Sequence, residues 1–184
     1  MRDLASARSS PVLETSSVAR PLPALSRFSL RGAPEALAAA AAALGLEAVG
    51  EPCRAAWNAS RALLWLGPDE RLVLDEQDGE KVRELLETAL ASLPHSLVDV
   101  SHGMTALEVA GPGAATALNL GCPLDFDAAA FPVGMCTRTV FAKAQIVLWR
   151  TGTESFRLEV GRSFGPYVSK LLALAARERA ASPA

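Results

Sequence analysis

The sequence has little of what most catalytic and nucleic-acid-binding sites are built from. Its 184 residues include three cysteines, two histidines and 5% aromatic residues, and the formal net charge is −2. A nucleic-acid-binding face needs clustered basic residues, and single-strand binders also need aromatic side chains on which bases stack. The composition therefore argues against both classes, and we expect no nucleic-acid partner.

The residues that could bind a metal are scattered along the chain. The cysteines are Cys53, Cys122 and Cys136, and the histidines are His95 and His102. This spacing matches neither a disulfide framework nor a paired-cysteine metal knuckle. We expect no metal site in this chain, and the cysteine usage predicts a reducing, cytoplasmic environment.

Long apolar runs are also scarce. The longest, Ala36 to Leu44, is about half of the roughly 20 residues that a membrane-spanning helix requires. The first residues lack the apolar block of a secretory signal peptide, and prolines interrupt any long amphipathic helix there. We predict no membrane association, a disordered or partner-docked tail over residues 1–25, and a single domain over residues 26–179.

The sequence does contain the same pattern of elements twice. A strand, a Gly-Pro helix start, a helix, a hairpin and a closing helix follow one another in residues 27–93 and again in residues 104–176. Helices between runs of hairpin strands, without strict alternation of strand and helix, are typical of an α+β fold. We therefore predict an α+β domain made of two internally duplicated antiparallel-sheet and helix units.

Three matches between the two units support the duplication. The glycines at the helix starts, Gly32 and Gly111, lie 79 residues apart, and the tryptophans at the hairpins, Trp65 and Trp149, lie 84 apart. The closing helices match at a constant separation of 82 residues, with a spacing that predicts one buried face in each. The matched positions are 82, 85, 86, 89, 90 and 93 in the first helix and 164, 167, 168, 171, 172 and 175 in the second. Superposition of the units should place Trp65 on Trp149.

Two short motifs suggest catalysis or cofactor binding, and a structural interpretation is better for both. Gly161 to Gly165 matches the G-x-S-x-G of a nucleophile elbow, with Ser163 as the nucleophile. No Asp or His follows Ser163, although the acid and base of such a triad normally do, so we predict that Ser163 is the N-cap of the last helix. Gly111 to Thr116 resembles a dinucleotide-binding loop, but a threonine stands where helix packing needs Gly or Ala.

A third group of polar residues lies at Asp99, Ser101 and His102. On a strand, Asp99 and Ser101 share one face and His102 takes the other, so a proton relay would need a bulge. We expect His102 to form a local hydrogen bond, although it is the best single candidate for contact with a cofactor held elsewhere. We predict no catalytic, cofactor-binding or metal-binding residues in this chain.

Several longer stretches resemble one known family. They are Asp99–Pro112, Gly121–Asp125, Phe131–Thr139, Trp65–Glu70 and Ala144–Arg150. In these stretches the chain resembles the gamma subunit of heterotetrameric sarcosine oxidase, and the similarity runs from about Trp57 to Leu174. Two positions depart from the family pattern, because Gly103 replaces a common arginine and Arg71 replaces a frequent tryptophan.

The resemblance implies a fold similar to the folate-binding domain of glycine-cleavage aminomethyltransferases, which is itself duplicated. It also implies a non-catalytic subunit of an oxidoreductase complex that oxidises N-methylglycine, in sarcosine catabolism, and passes the methyl carbon to tetrahydrofolate or releases it as formaldehyde. The partners would be the alpha, beta and delta subunits of the heterotetramer. They would hold FAD, FMN, NAD, tetrahydrofolate and zinc, and the gamma chain would hold none of them.

An alternative from a different class is a free-standing folate-binding or folate-dependent transferase module. A pterin site needs a carboxylate or amide for the ring and a basic group for the glutamate tail. Asp99, Glu108 and Arg138 could supply these groups, but nothing in the sequence singles them out.

We predict that a partner subunit docks on the segment from Cys122 to Thr139. The segment carries large apolar residues while prolines and a glycine interrupt regular structure, and exposed apolar patches are uncommon on monomers. The predicted interface residues are Phe126, Phe131, Met135 and Arg138. The competing interpretation is that this segment folds back over the chain's own core.

Overall fold

The computed structural model describes residues 13–181, which form an α+β fold as predicted. The strands are β1 (Ala19–Pro21), β2 (Ser26–Gly32), β3 (Ala55–Trp57), β4 (Arg61–Gly67), β5 (Glu70–Asp75), β6 (His95–Asp99), β7 (Met104–Ala110), β8 (Cys136–Phe141), β9 (Ala144–Gly152) and β10 (Ser155–Gly161). The helices are α1 (Pro34–Ala43), α2 (Gly79–Leu90), α3 (Ala114–Asn119) and α4 (Gly165–Ala181). Short 3₁₀ turns, Ser101–Gly103 and Arg162–Phe164, precede β7 and α4.

Local sequence explains where α1 begins and ends and where α2 begins. α1 begins at Pro34, because the fixed φ of proline suits the first helical position. It ends before Gly45, whose φ of +68° is the left-handed conformation that glycine adopts without strain. Asp78 caps α2, since its carboxylate accepts a hydrogen bond from the backbone N–H of Glu80 at 3.0 Å.

The strands form two five-stranded antiparallel sheets with matching strand orders. The first sheet has the order β3-β4-β5-β2-β6, and the second has β8-β9-β10-β7-β1. The orders coincide when β3, β4, β5 and β2 are matched to β8, β9, β10 and β7, which confirms the internal duplication. β1 precedes the first unit but pairs with β7, and β6 precedes the second unit but pairs with β2. The two units therefore exchange their first strands.

The two sheets pack face to face, and helices cover their outer faces. The cluster between the sheets contains Leu64 and Leu72 from the first sheet and Cys136, Val147 and Trp149 from the second. A second cluster joins α1 and α2 to the first sheet, and a third joins α3 and α4 to the second sheet. The domain therefore has four layers in the order helix, sheet, sheet, helix.

The strand registers define which residues of the two units are equivalent. In the β4–β5 hairpin, Trp65 lies opposite Arg71 just before a register shift at the turn. In the β9–β10 hairpin, Arg150 lies opposite Phe156 at the same place. Trp65 is therefore equivalent to Arg150, and the prediction that it superposes on Trp149 is wrong by one residue.

A shift of one residue decides which layer a strand side chain enters, because successive side chains point to opposite faces. On β4, Leu63 packs with the helices, whereas Leu64 packs between the sheets, and the partly buried Trp65 also contacts the cluster between the sheets. On β9, Leu148 faces the helices and Trp149 lies between the sheets. The repeated Leu-Trp pair is thus a coincidence on two equivalent strands.

The closing helices are also equivalent at a different separation from the predicted one. α2 and α4 begin 86 residues apart, at Gly79 and Gly165, so the predicted separation of 82 is out by about one helical turn. This difference explains why the predicted burial of Phe164 and Tyr167 is wrong: their side chains are 45% and 36% exposed. The buried apolar positions are Val82, Leu86 and Leu90 in α2 and Val168, Leu172, Ala173, Ala175 and Ala176 in α4.

The ordered sheet begins before the predicted domain start at residue 26. β1 pairs with β7, and Ala19 is 2% exposed. The backbone N–H of Glu14 also donates a hydrogen bond to Ser169 Oγ in α4 at 3.1 Å. Part of the predicted tail therefore belongs to the second sheet, while residues 1–12 lie outside the described residues. The unit limits 27–93 and 104–176 stay a prediction.

Candidate functional site

Ser163, the candidate nucleophile, lies in the 3₁₀ turn that precedes α4 and is exposed. Within the described range its hydroxyl has no hydrogen bond to a histidine or a carboxylate, so the geometry of a triad is not assembled around it. The predicted N-cap role is not found either, because Gly161 occupies the cap position of the turn and no side chain caps it. Ser163 therefore fills neither of the two roles that the motif suggested.

The Gly111 segment is a helix start, as interpreted from the sequence. Gly111 has a φ of +97°, and its N–H donates to the carbonyl of Glu154 at 2.9 Å. This turn leads from β7 into α3, which has only six residues. A dinucleotide loop instead joins a strand of a parallel sheet to a long helix, so the segment is not such a site.

In the cluster at Asp99, Ser101 and His102, two residues form hydrogen bonds that connect β2 to the segment before β7. Ser101 Oγ accepts the N–H of Arg27 at 2.8 Å, and Asp99 accepts the N–H of Ser101 at 2.8 Å, which fastens β2 to the start of the second unit. Partial burial raises the pKa of Asp99, but hydrogen bonds from Ser101 and the charge of Arg83 outweigh it and hold that pKa below its usual value. His102 is exposed in the 3₁₀ turn and makes no hydrogen bond within the described residues.

The three candidate pterin contacts do not converge on one pocket. Arg138 donates two hydrogen bonds to Glu70, at 2.7 and 3.2 Å, and Glu108 pairs with Arg20. Glu108 on β7 and Arg138 on β8 are three strands apart in the second sheet, or about 14 Å at the usual strand spacing. Asp99 belongs to β6 in the other sheet.

Metal and membrane sites find no support in the part of the chain that the structure describes. No group of three or more His, Cys, Asp or Glu residues in residues 13–181 could hold a metal ion. In the same range, no helix has both the length and the apolar character that crossing a membrane requires.

Two of the three thiols are buried and held in the neutral form. Burial raises the pKa of Cys136 to about 12 and also raises the pKa of Cys122. The Cys136 thiol lies 3.3 Å from the carbonyl of Arg54 and 3.5 Å from that of Trp65, and donates to them. Since the thiolate is the reactive form, these cysteines pack as small apolar groups and are poor nucleophiles.

The most deeply buried ion pair joins the two units. The side chains of Arg27 in β2 and Glu159 in β10 are 2% and 1% exposed, and Arg27 Nε donates to Glu159 Oε2 at 2.7 Å. The other carboxylate oxygen accepts a hydrogen bond from Arg157 Nε at 2.7 Å. Removal of one partner from such a pair leaves an uncompensated buried charge, so this network fixes one sheet against the other.

A cleft of about 700 Å³ lies between the two sheets. Its apolar lining includes Leu66, Leu72, Val100, Met104, Ile146, Val147 and Phe164, and its polar lining is Ser29, Glu70, Arg138, Lys143, Gln145, Glu159 and Ser163. The volume falls within the range of small-molecule pockets. Glu70, Arg138 and Glu159 are already in ion pairs, whereas Lys143 has no ion-pair partner among the described residues.

The predicted interface segment folds back over the second sheet. Phe126 and Phe131 are 4% and 1% exposed, and both rings pack with Phe156 of β10. These two side chains belong to the core, which contradicts their predicted role at an interface. Met135 is partly buried against the same cluster, and the Arg138 side chain is 47% exposed beside the cleft. For these two residues the interface stays a prediction.

Two groups of large exposed apolar side chains lie on the surface, and Val133 of the first group belongs to the predicted segment. Trp57 and Val133 are exposed, and Trp57 packs edge-on against Trp149 with 5.6 Å between ring centroids. Phe164, Tyr167 and Leu174 are exposed along α4. Sequence reasoning missed the second group because it assigned positions 164, 167 and 171 to a buried face. The signal that could have found it is that α4 has more large apolar residues than one buried face can accommodate.

Comparison with known proteins assigns the chain to a family. Residues 31–178 match the model of the sarcosine oxidase, gamma subunit family. The gamma subunit of sarcosine oxidase from Corynebacterium sp. (strain P-1) is 36% identical over 122 residues, or 66% of this chain and 60% of the relative. The corresponding subunit from an Arthrobacter species is 39% identical over 122 residues, or 65% of this chain and 59% of the relative. The chain thus spans about 60% of the length of these relatives, and it belongs to the sarcosine oxidase gamma subunit family.

Solved structures show the same relationship. A chain of the heterotetrameric sarcosine oxidase from Corynebacterium sp. U-96, in complex with pyrrole 2-carboxylate, matches with a TM-score of 0.84 and 31% identity, covering 90% of this chain and 86% of that one. Aminomethyltransferase T of the glycine cleavage system from Bartonella henselae matches with a TM-score of 0.64 and 15% identity, covering 89% of this chain and 50% of that one. The second match concerns the fold alone and confirms the predicted aminomethyltransferase-like architecture.

Proposed function

We propose that this chain is the non-catalytic gamma subunit of a heterotetrameric flavoenzyme of the sarcosine oxidase type. The observation that carries the proposal is the match to a chain of heterotetrameric sarcosine oxidase, with a TM-score of 0.84 over 90% of this chain. Because a shared fold alone does not establish a shared function, the 31% sequence identity of the same match adds to the support from the fold.

In this proposal the chain works through its partners in the cytoplasm. The alpha, beta and delta subunits hold FAD, FMN, NAD, tetrahydrofolate and zinc, and the complex oxidises N-methylglycine in sarcosine catabolism. The gamma chain contributes contacts that hold the other subunits in place.

The chemistry of the described residues supports a non-catalytic role. A general acid or base must exchange a proton near the working pH, within reach of the reacting group. Both carboxylate oxygens of Glu159 are hydrogen-bonded to guanidinium groups, and burial raises the pKa of Cys136 to about 12, so its thiol stays protonated near neutral pH. Ser163 has no base beside it among the described residues.

The folate-binding alternative gains less support from the same residues. The cleft between the sheets has room for a small ligand, but Glu70, Arg138 and Glu159 on its walls are engaged in ion pairs. Arg138 is the only one of the three candidate pterin contacts that lines this cleft. We therefore keep the subunit role as the single proposed function.

Co-purification from the native host tests this function. The tagged full-length chain should bring down flavin-containing subunits, identified by flavin absorbance and mass spectrometry, and the purified assembly should oxidise N-methylglycine. The chain purified alone should be colourless and should not turn over N-methylglycine. A lone chain that binds flavin, or a capture without any flavoprotein, contradicts the proposal; an unrelated tagged protein from the same host is the control.

A further inference from the structure

The two closing helices are equivalent in the fold and bury equivalent positions. At the separation of 86 residues, Val82 and Leu86 of α2 correspond to Val168 and Leu172 of α4, and all four are fully buried. The residues that the two helices turn outward can therefore be compared position by position. Any difference between these outer faces is not required by the fold itself.

The outer faces differ strongly in chemistry. On α4 and the turn before it, a row of four apolar or aromatic residues follows the 3, 4, 3 spacing of one helix face. We name this row the α4 stripe, and it consists of Phe164, Tyr167, Leu171 and Leu174. The equivalent positions of α2 are Asp78, Lys81, Leu85 and Thr88. α2 is thus an ordinary amphipathic surface helix, whereas α4 is apolar on its outer side as well.

The α4 stripe is accessible and preformed. Phe164, Tyr167 and Leu174 are 45%, 36% and 49% exposed, and Leu171 is half-buried. The rings of Phe164 and Tyr167 are in edge-on contact with 6.4 Å between centroids. Single exposed apolar residues are common, but a continuous row of them on a rigid helix is typical of an interaction surface. A row that is already fixed loses little side-chain freedom on binding.

The charges around the stripe indicate what it binds. Lys170 and Arg177 are exposed and follow Tyr167 and Leu174 by three residues, so they border the row on its solvent side. Neither has an ion-pair partner among the described residues. In α2, the position equivalent to Lys170 is Glu84, so the border has the opposite charge there.

The same sign of charge continues at the end of the stripe nearest the cleft. Phe164 lines the cleft between the sheets together with Lys143, which is exposed and has no ion pair in the described range. Glu178, at the opposite end, is the carboxylate that follows Leu174 by one helical turn. The surface as a whole is an apolar row with a mainly cationic border, on a chain whose net charge is −2.

We propose that the α4 stripe is the docking surface for another subunit of the oxidase complex, one that presents an apolar ridge bordered by carboxylates. The inference rests on the proposed function, and it assigns the interface to a surface distinct from the segment 122–139. Apolar contact supplies the binding free energy, and the cationic border selects the partner and its orientation.

The first test is the double substitution Tyr167→Asp and Leu174→Asp in the full chain, co-expressed with the other subunits. We expect the amount of partner subunit that co-purifies to fall about tenfold or more, because exposed apolar anchors carry most of the affinity of an interface. The melting temperature of the lone variant should stay close to that of the unaltered chain, since both side chains are exposed. The matched control, Lys81→Asp with Thr88→Asp, places the same groups at the equivalent positions of α2 and should leave assembly unchanged.

The second test reverses the border with Lys170→Glu and Arg177→Glu. Assembly should weaken at low ionic strength and recover partly as the salt concentration rises, because exposed charges are screened over about 10 Å at 0.1 M salt. Partner capture that is unaffected at every salt concentration would contradict the predicted carboxylate border.

Several outcomes would overturn the docking proposal. One is normal assembly of the stripe variant with its partners. Another is that the lone chain dimerises, or binds anionic lipid vesicles, and that the stripe variant loses this activity while it still captures its partners. If the double variant does not fold, the single change Leu174→Gln takes its place, and unchanged capture by that variant is equally contradictory. If the unaltered chain and the α2 control also capture no flavoprotein subunit, the proposed function itself is wrong, and the docking proposal falls with it.

Discussion

The two units have matching strand orders, yet different groups cover the outer faces of their sheets. In the first unit, the ten-residue helix α1 lies on the sheet with a largely alanine and leucine face. In the second unit, α3 has six residues, and the rings of Phe126 and Phe131 from the following segment complete the cover. The duplicated part is therefore the sheet with its register. Its cover can change, because a core accepts any apolar groups that fill the same volume.

The hairpins of the two units show a second difference: the strand that carries the arginine and the strand that carries the aromatic ring are exchanged. In the first unit, the guanidinium of Arg71 on β5 lies 5.7 Å from the ring centroid of Trp65 on β4. In the second, the guanidinium of Arg150 on β9 lies 5.1 Å from the ring centroid of Phe156 on β10. Each hairpin thus keeps one buried cation over one ring, and either strand can supply it. Equivalent positions in this duplication therefore share an interaction more faithfully than a residue type.

Among the substitutions that test this difference between the units, Phe131→Asp should have the largest effect on stability. Phe131→Asp places a carboxylate in the position of a ring that is 1% exposed, and it removes the cover that replaces a longer helix. Loss of a buried Phe costs about 3–5 kcal/mol, and burial of a charge adds to it, so the lone chain should unfold. Circular dichroism during thermal unfolding measures this.

The matched control for that substitution lies two residues away. Val133 is in the same segment but is 46% exposed, so Val133→Asp should change the free energy of unfolding by less than about 0.5 kcal/mol. Equal effects of the two substitutions would mean that the segment does not cover the core of the second unit.

A smaller effect is expected at the two hairpin arginines. Arg150 donates to the carbonyls of Phe126 and Phe131, at 3.2 and 2.7 Å, and thereby holds the segment that carries both rings. Arg71 donates to the carbonyl of Val49 at 2.7 Å, in a loop that carries no buried ring. Because hydrogen bonds from a charged donor contribute about 1.5–3 kcal/mol, we expect Arg150→Met to cost about 3 kcal/mol and Arg71→Met about 2.

Urea unfolding of the two arginine variants measures this difference, with the exposed Arg177→Met as the control that should change little. A larger cost for Arg71→Met than for Arg150→Met would mean that the irregular segment of the second unit holds itself in place. The two units would then differ in the buried rings of that segment and not in how the hairpin arginine holds it.

Much of the fold was predictable from the sequence, because it depends on patterns that act locally. The order of strand, helix start and hairpin predicts the duplication, and Gly32 and Gly111 do occupy equivalent places in the observed registers, 79 residues apart. The family resemblance predicted the aminomethyltransferase-like fold that Bartonella henselae aminomethyltransferase T shares. The exchange of β1 and β6 between the units was not predicted, since strand pairing across distant segments leaves no local signal.

Errors of register account for most of what the sequence did not predict about the site. A helix face repeats every 3.6 residues, so a match at 82 looks as good as the true one at 86, and it hid the exposure of Phe164 and Tyr167. On a strand, a shift of one residue exchanges the two faces, so the repeated Leu-Trp pair looked equivalent although Leu64 lies between the sheets and Leu148 faces the helices. Phe131 was assigned to an interface because no local pattern in the sequence indicates that the six-residue α3 leaves part of its sheet uncovered, which Phe131 then covers.

The smallest expected effect on stability is at the start of the two closing helices, which differs between the units. Asp78 caps α2 through a 3.0 Å hydrogen bond from the N–H of Glu80, so Asp78→Ala should cost about 1 kcal/mol. Ser163 lies inside the 3₁₀ turn before α4 and caps nothing, so Ser163→Ala should change the free energy of unfolding by less than about 0.5 kcal/mol. Urea unfolding of both variants, side by side, measures the two values. A cost of about 1 kcal/mol for Ser163→Ala would restore it as the N-cap of α4 and would show that both helices begin in the same way, whereas reaction of Ser163 with a fluorophosphonate probe would contradict the non-catalytic role.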